Sequence, residues 1–155
     1  MTKKELKEFL DEKVVLYNHP NFIESDPIQI PHRYQLKEDV EISGFLAATI
    51  SWGNRKMIIK NGLKLMYLLG NSPYDFIMNH TDNQLETVNN FVHRTFNGID
   101  CITFIKGLKN IYENHSGLEA VFAKNQQNDS LQLSISEFKK IFFEIEHLNR
   151  TQKHI

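Results

Sequence analysis

The chain has 155 residues, 41% of them hydrophobic and 24% charged, with a formal net charge of −1. That length suits one domain with a single core, and near-neutral charge argues against a protein that coats nucleic acid indiscriminately while leaving room for a local basic face. A single cysteine, Cys101, excludes an internal disulfide and a thiolate-rich zinc site, and no export signal or run of about twenty apolar residues is present, so a cytoplasmic protein without a membrane span is expected.

Apolar residues recur at helical spacing along almost the whole chain. Thr2 and Glu5 form a capping-box pattern, and Leu6, Phe9, Leu10, Val14 and Tyr17 then share one face. This predicts a helix over 2–18, ended by Asn18, His19 and Pro20. Residues 19–37 read as an irregular connector broken by Pro20, Pro27 and Pro31, with Ile28, Ile30 and Tyr34 to bury. A central helix over 39–52 follows, with Ile42, Phe45, Leu46, Thr49 and Ile50 as its apolar stripe. Gly53 suits a left-handed exit and Asn54 a cap for the next helix, 55–69, which Gly70 stops. Ser72, Pro73 and Asp75 open a short helix over 73–79.

Thr81 and Gln84 form a second capping box, predicting a helix over 82–96 with Leu85, Val88, Val92 and Phe96 inward. Asn97 and Gly98 turn the chain, and Asp100 caps a helix over 101–115. Ser116 and Glu119 give a third box before a helix over 117–124. A polar loop over 124–130 leads to the last helix, 134–147, carrying Phe138, Ile141, Phe142, Ile145 and Leu148. The expected fold is an all-α orthogonal domain of seven or eight helices spanning 1–155. Their lengths vary too much for a four-helix bundle.

Charge is segregated along this chain. No acidic residue lies over 42–74, yet Arg55, Lys56, Lys60 and Lys64 do. Trp52 can stack on a base, Asn54 and Arg55 can bond bases or phosphates, and the helix start at Asn54 favours an anion. Cations there oppose the helix dipole, which stability alone does not select. The structural alternative is a core Trp52 beside a solvated first turn. His32 and Arg33, behind Pro31, form either an anion clamp or a pair that ties the loop down. The candidate nucleic-acid-binding set is therefore Trp52, Asn54, Arg55, Lys56, His32 and Arg33. The seven histidines form no His-x-x-x-His pair, and no metal site or cofactor is expected. Glu38, Asp39 and Glu41 suit the N-terminus of the central helix. No P-loop, nucleophile elbow or catalytic triad pattern is present, so no catalytic residue is assigned.

Three stretches within 22–76, ESDPIQIPHRY, EDVEISGFLAATISWGNRK and SPYDF, resemble an uncharacterised bacterial family of conserved hypothetical proteins. HRTFNG at 93–98 and RTQKH at 150–154 extend that resemblance over nearly the whole chain. It implies the N-terminal part of a longer protein, whose further half would cover an apolar surface here. Phe142 or Phe143, Ile145 and parts of the central helix are candidates for that surface, with self-association of the fragment as the consequence. The family is in turn distantly similar to helix-hairpin-helix DNA glycosylases. That similarity implies a DNA-binding, base-excision-like role in which Trp52, Asn54 and Arg55 enter the DNA stack and the catalytic Lys or Asp lies in the absent half. The alternative is a non-enzymatic helical interaction module.

Overall fold

The computed structural model describes residues 1–124, 126 and 130–155. Among them the chain is mostly helical, and its one sheet is a short two-stranded hairpin. Helices α1 (Lys3–Tyr17), α2 (Pro20–Ser25), α3 (Lys37–Thr49), α4 (Arg55–Leu68), α5 (Pro73–Asn79) and α6 (Asp82–Val88) come first. Strands β1 (Val92–His93) and β2 (Phe96–Asn97) follow, then α7 (Gly98–Asn114), α8 (Leu118–Lys124) and α9 (Gln132–Phe142). Short 3-10 turns occupy Pro27–Gln29, Pro31–Arg33 and Asn149–His154. All eight expected helices are present, and α2 is the addition. No helix is long and apolar enough to cross a membrane among the described residues. The expected polar loop over 124–130 lies partly outside them.

Helix α7 is the spine of the core. Its Cys101, Phe104, Ile105, Leu108 and Ile111 have no exposed surface, and it packs on α5, α6, α8, α9 and β2. Phe104 meets Phe142 at 4.9 Å between ring centroids, and Phe45 of α3 joins both at 5.5–5.8 Å. Each such pair adds about 0.5–1.5 kcal/mol beyond the area it buries. Burial and the adjacent Asp100 push the Cys101 thiol far up, so it stays protonated and unreactive.

The caps at Thr2, Asn54 and Thr81 form as the sequence implies. Three expectations change. Ser72 makes no capping bond; Asp39 of α3 accepts the Tyr74 backbone N–H at 2.9 Å and caps α5 from a distance. Ser116 sits at φ +63°, and Glu119 pairs with Lys37 rather than closing a box. Helix α7 begins at Gly98, not residue 101, because Asn97 is its cap and Asp100 closes the box at 3.0 Å. A Cβ at Gly98 would stand 2.0 Å from the Asn89 carbonyl oxygen, so only glycine lets this start lie against the end of α6.

The helix expected over 82–96 stops at Val88. Two asparagines, Asn89 and Asn90, follow it, and asparagine favours turns over helix interiors. Beyond them burial alternates: Phe91 and His93 are buried and Val92 is exposed, the period of a strand. Arg94 turns the hairpin at φ +56°, pairing His93 with Phe96. The last helix, expected over 134–147, ends at Phe142. The following 3-10 turn docks through Lys139, whose Nζ donates to the carbonyls of Gln152 and Ile155.

Phe142 is fully buried and Phe143 and Ile145 half-buried, which removes them as the exposed apolar surface. On the central helix Val40 is 37% exposed, and a larger set of exposed apolar residues lies on α1. Helix α1 buries none of its side chains, leaving Leu6, Phe9, Leu10, Val14 and Tyr17 in solvent on one face. The irregular 19–37 connector is more ordered than expected, since Pro20 opens α2 and His19 caps it by accepting from the Asn21 N–H at 3.2 Å. Its Ile30 is wholly buried, whereas Ile28 is 45% exposed.

Candidate functional site

Three segments distant in sequence meet at one corner: the turn after α3, the hairpin and the 150–154 turn. At Trp52–Gly53–Asn54 the backbone reverses between α3 and α4, with Gly53 at φ +109°. A Cβ at Gly53 would lie 2.6 Å from Arg94 Nη1, so glycine satisfies both the backbone and the space. That space lets the Arg94 guanidinium sit 4.6 Å from the Trp52 ring centroid. Trp52 itself is 36% exposed, neither core nor fully solvated. Behind it His93 stands edge-on at 5.9 Å, and the Asn61 amide of α4 holds His93 Nδ1 at 2.8 Å. His93 is buried and its Nε2 has no partner among the described residues.

Below this corner lies a buried polar knot. The Asp100 carboxylate, with no exposed surface, accepts from Arg150 Nη2 at 2.6 Å and Thr151 Oγ1 at 2.7 Å. His154 Nε2 lies 3.6 Å from the same carboxylate, too far for a hydrogen bond. Burial lowers the His154 pKa below the usual imidazole range, aided by Lys153 and Arg150 and opposed by Asp100. Thr49, Trp52, Thr95, Lys153 and His154 line an open cavity of about 350 Å³.

The sequence-selected residues take different places. The Asn54 side chain accepts from the Met57 N–H at 3.2 Å, so its oxygen is occupied as a cap. Arg55 turns toward the 20s connector, with Nε 4.0 Å from Asp26 and its guanidinium 5.9 Å from the Phe22 ring centroid. Lys56 is exposed, as are Lys60 and Lys64, spaced about 6 Å apart along one face of α4. None of the three has an ion-pair partner among the described residues. Asn61, one turn before Lys64, ties that face to the hairpin through His93. His32 and Arg33 are exposed on their 3-10 turn, with no hydrogen bond, ion pair or ring contact to Trp52, Asn54, Arg55 or Lys56 among the described residues. Asp39 caps α5, and Glu41 accepts from the Tyr112 hydroxyl at 2.7 Å, so both carboxylates serve the fold.

Arg94, Thr95, Asp100, Lys153 and His154 were missed as site residues. Their segments were marked only by the HRTFNG and RTQKH motifs, and nothing local in either motif shows that the two meet. With that geometry in view, residues 26–155 match the family described as "Protein of unknown function (DUF2400)". The chain belongs to this family. The match omits α1 and α2 and includes every residue of the Trp52 corner. The chain matches no curated protein and no solved structure. No cluster of three or more metal-ligating side chains occurs among the described residues.

Proposed function

We propose that this chain is a nucleic-acid-binding helical domain, with Trp52 and Arg94 as a stacking corner and the α4 lysine row as a phosphate track. The observations that carry the reading are Arg94 held over a half-exposed Trp52 at the turn leading into α4, and three exposed α4 lysines with no ion-pair partner among the described residues. An aromatic face gains about 1–3 kcal/mol per stacked base, and the lysines supply sequence-independent attraction to phosphates. Arg55, His32 and Arg33 belong to the outer rim in this reading. The base-excision-like part rests on the glycosylase resemblance of the sequence. Bond-breaking chemistry is then the work of a further segment of a longer protein. The test is anisotropy of labelled single- and double-stranded DNA across a salt series. Replacing Lys56, Lys60 and Lys64 together with Ala is expected to flatten the salt slope by about one unit per lost phosphate contact. Unchanged affinity and slope in a folded triple variant would rule the reading out.

A second reading, a protein-interaction module, is favoured by α1. Its apolar face is exposed apart from Tyr17 against the Phe22 ring, and a separate open groove of about 580 Å³ lies between Pro27, Ile28, Val40, Phe45 and Ala48. Self-association through α1 is checked by light scattering of the wild type against Leu10→Lys. A monomer in both removes this reading.

A further inference from the structure

We infer that the cavity between Trp52, Thr95 and the 150–154 turn is a binding site for a nucleoside monophosphate unit, as a free nucleotide or as the phosphorylated end of a strand. The inference rests on the nucleic-acid reading only for its ligand class; the cavity is argued from its own walls.

Four features define what fits. Trp52 gives one aromatic wall, with Arg94 already on its ring. None of the five lining residues is acidic, and Lys153 is exposed with no ion pair among the described residues. Arg94 likewise has no carboxylate partner there, so two uncompensated cations flank the cavity. This selects an anion. The Thr95 hydroxyl is exposed and without a hydrogen-bond partner among the described residues, while Thr49 Oγ1 donates to the Phe45 carbonyl at 2.9 Å and keeps its acceptor capacity.

His154 supplies the fourth feature. Its side chain is 5% exposed, and Nε2 is buried without a hydrogen bond, facing Asp100. His154 lines the cavity, so a buried imidazole with no hydrogen bond at Nε2 stands in its wall. A polar ring beside an aromatic wall suits a base; paired cations and a hydroxyl suit a phosphate. A volume of about 350 Å³ lies at the lower end of ligand-site sizes and suits one nucleotide.

Trp52 is the chain's single tryptophan and therefore reports its own cavity by fluorescence. Titration with adenosine or thymidine monophosphate is expected to change its emission saturably, with inorganic phosphate at least about fivefold weaker because stacking is lost. Lys153→Ala and Thr95→Val each weaken nucleotide binding by about tenfold. Neither residue is buried, so both variants fold. Lys106→Ala, an exposed lysine of α7, leaves nucleotide binding unchanged. A 5′-phosphorylated single strand beside its unphosphorylated twin separates the sources. A gain from the phosphate that Thr95→Val abolishes marks strand ends; no gain, with free nucleotide still binding, marks the free ligand. No saturable emission change with either nucleotide up to several mM, and no phosphate-dependent gain on the strand, overturns the cavity as a site. Lysine-dependent DNA binding that persists beside that result leaves the proposed function standing. Nucleotide binding without any DNA binding does the reverse.

Discussion

Helix α1 and the Trp52 corner are opposite solutions to the same problem. Helix α1 is continuous in sequence, well capped and amphipathic, yet it buries no side chain. The corner is assembled from three short pieces up to a hundred residues apart, and it holds a carboxylate with no exposed surface. Local propensity suffices to form the helix. The corner exists only when the rest of the fold brings its parts together. A motif that looks structurally strong is therefore a poor guide to where tertiary organisation is concentrated in this molecule.

The sharpest way to break the comparison is Asp100→Ala. Arg150 and Thr151 lose their acceptor, and the Asn97 backbone N–H loses its box partner. A loss of about 3–5 kcal/mol is expected in denaturant unfolding, whereas deleting residues 1–17 changes it little. Gly53→Ala comes next. It forces a side chain into a positive-φ position and onto Arg94, at a cost of about 1–3 kcal/mol. Trp52 emission shifts with it as Arg94 is displaced.

Acidification gives a smaller effect with a defined sign. The folded pKa of His154 lies below its ordinary value of 6.5 because burial disfavours its charged form, with Lys153 and Arg150 acting the same way and Asp100 against them. The unfolded chain thus binds the proton first. The His154 contribution is present above about pH 6.5 and is lost as pH falls toward the depressed folded value. His154→Gln removes this dependence, which unfolding midpoints across that window will show. The smallest effect is expected from Val14→Asp. Val14 is 57% exposed, so the folded stability moves by no more than about 0.5 kcal/mol, read by thermal melts.

The same contrast explains what the sequence made legible. Capped amphipathic helices such as α4 and α7 follow from short-range spacing, and their boundaries came within a few residues. Val88, Val92 and Phe96 misled, because they keep helical spacing while the chain, after the turn-favouring Asn89 and Asn90, changes to a strand. Ser72 misled because its place as donor-satisfying cap is taken by Asp39, thirty-five positions from Tyr74. At the candidate site, Trp52 and Lys56 were readable from composition and turn chemistry. Asn54 was readable as a cap, and that is the role its side chain plays. Arg94, Lys153 and His154 were not, since their significance lies in proximity. Asp100 reads as the cap of α7, but Asn97 takes that place and Asp100 closes its box, while its second role with Arg150 spans fifty positions.

The single cysteine has a practical consequence. Cys101 is wholly enclosed by the α7 core, and its thiol is held protonated. The native chain is thus chemically silent toward thiol reagents while folded. A cysteine placed at the exposed hairpin tip, or on α1, will be the one reactive thiol in its variant. Paired dyes or spin labels at such positions can then measure distances from α1 to the Trp52 corner without first removing a core side chain.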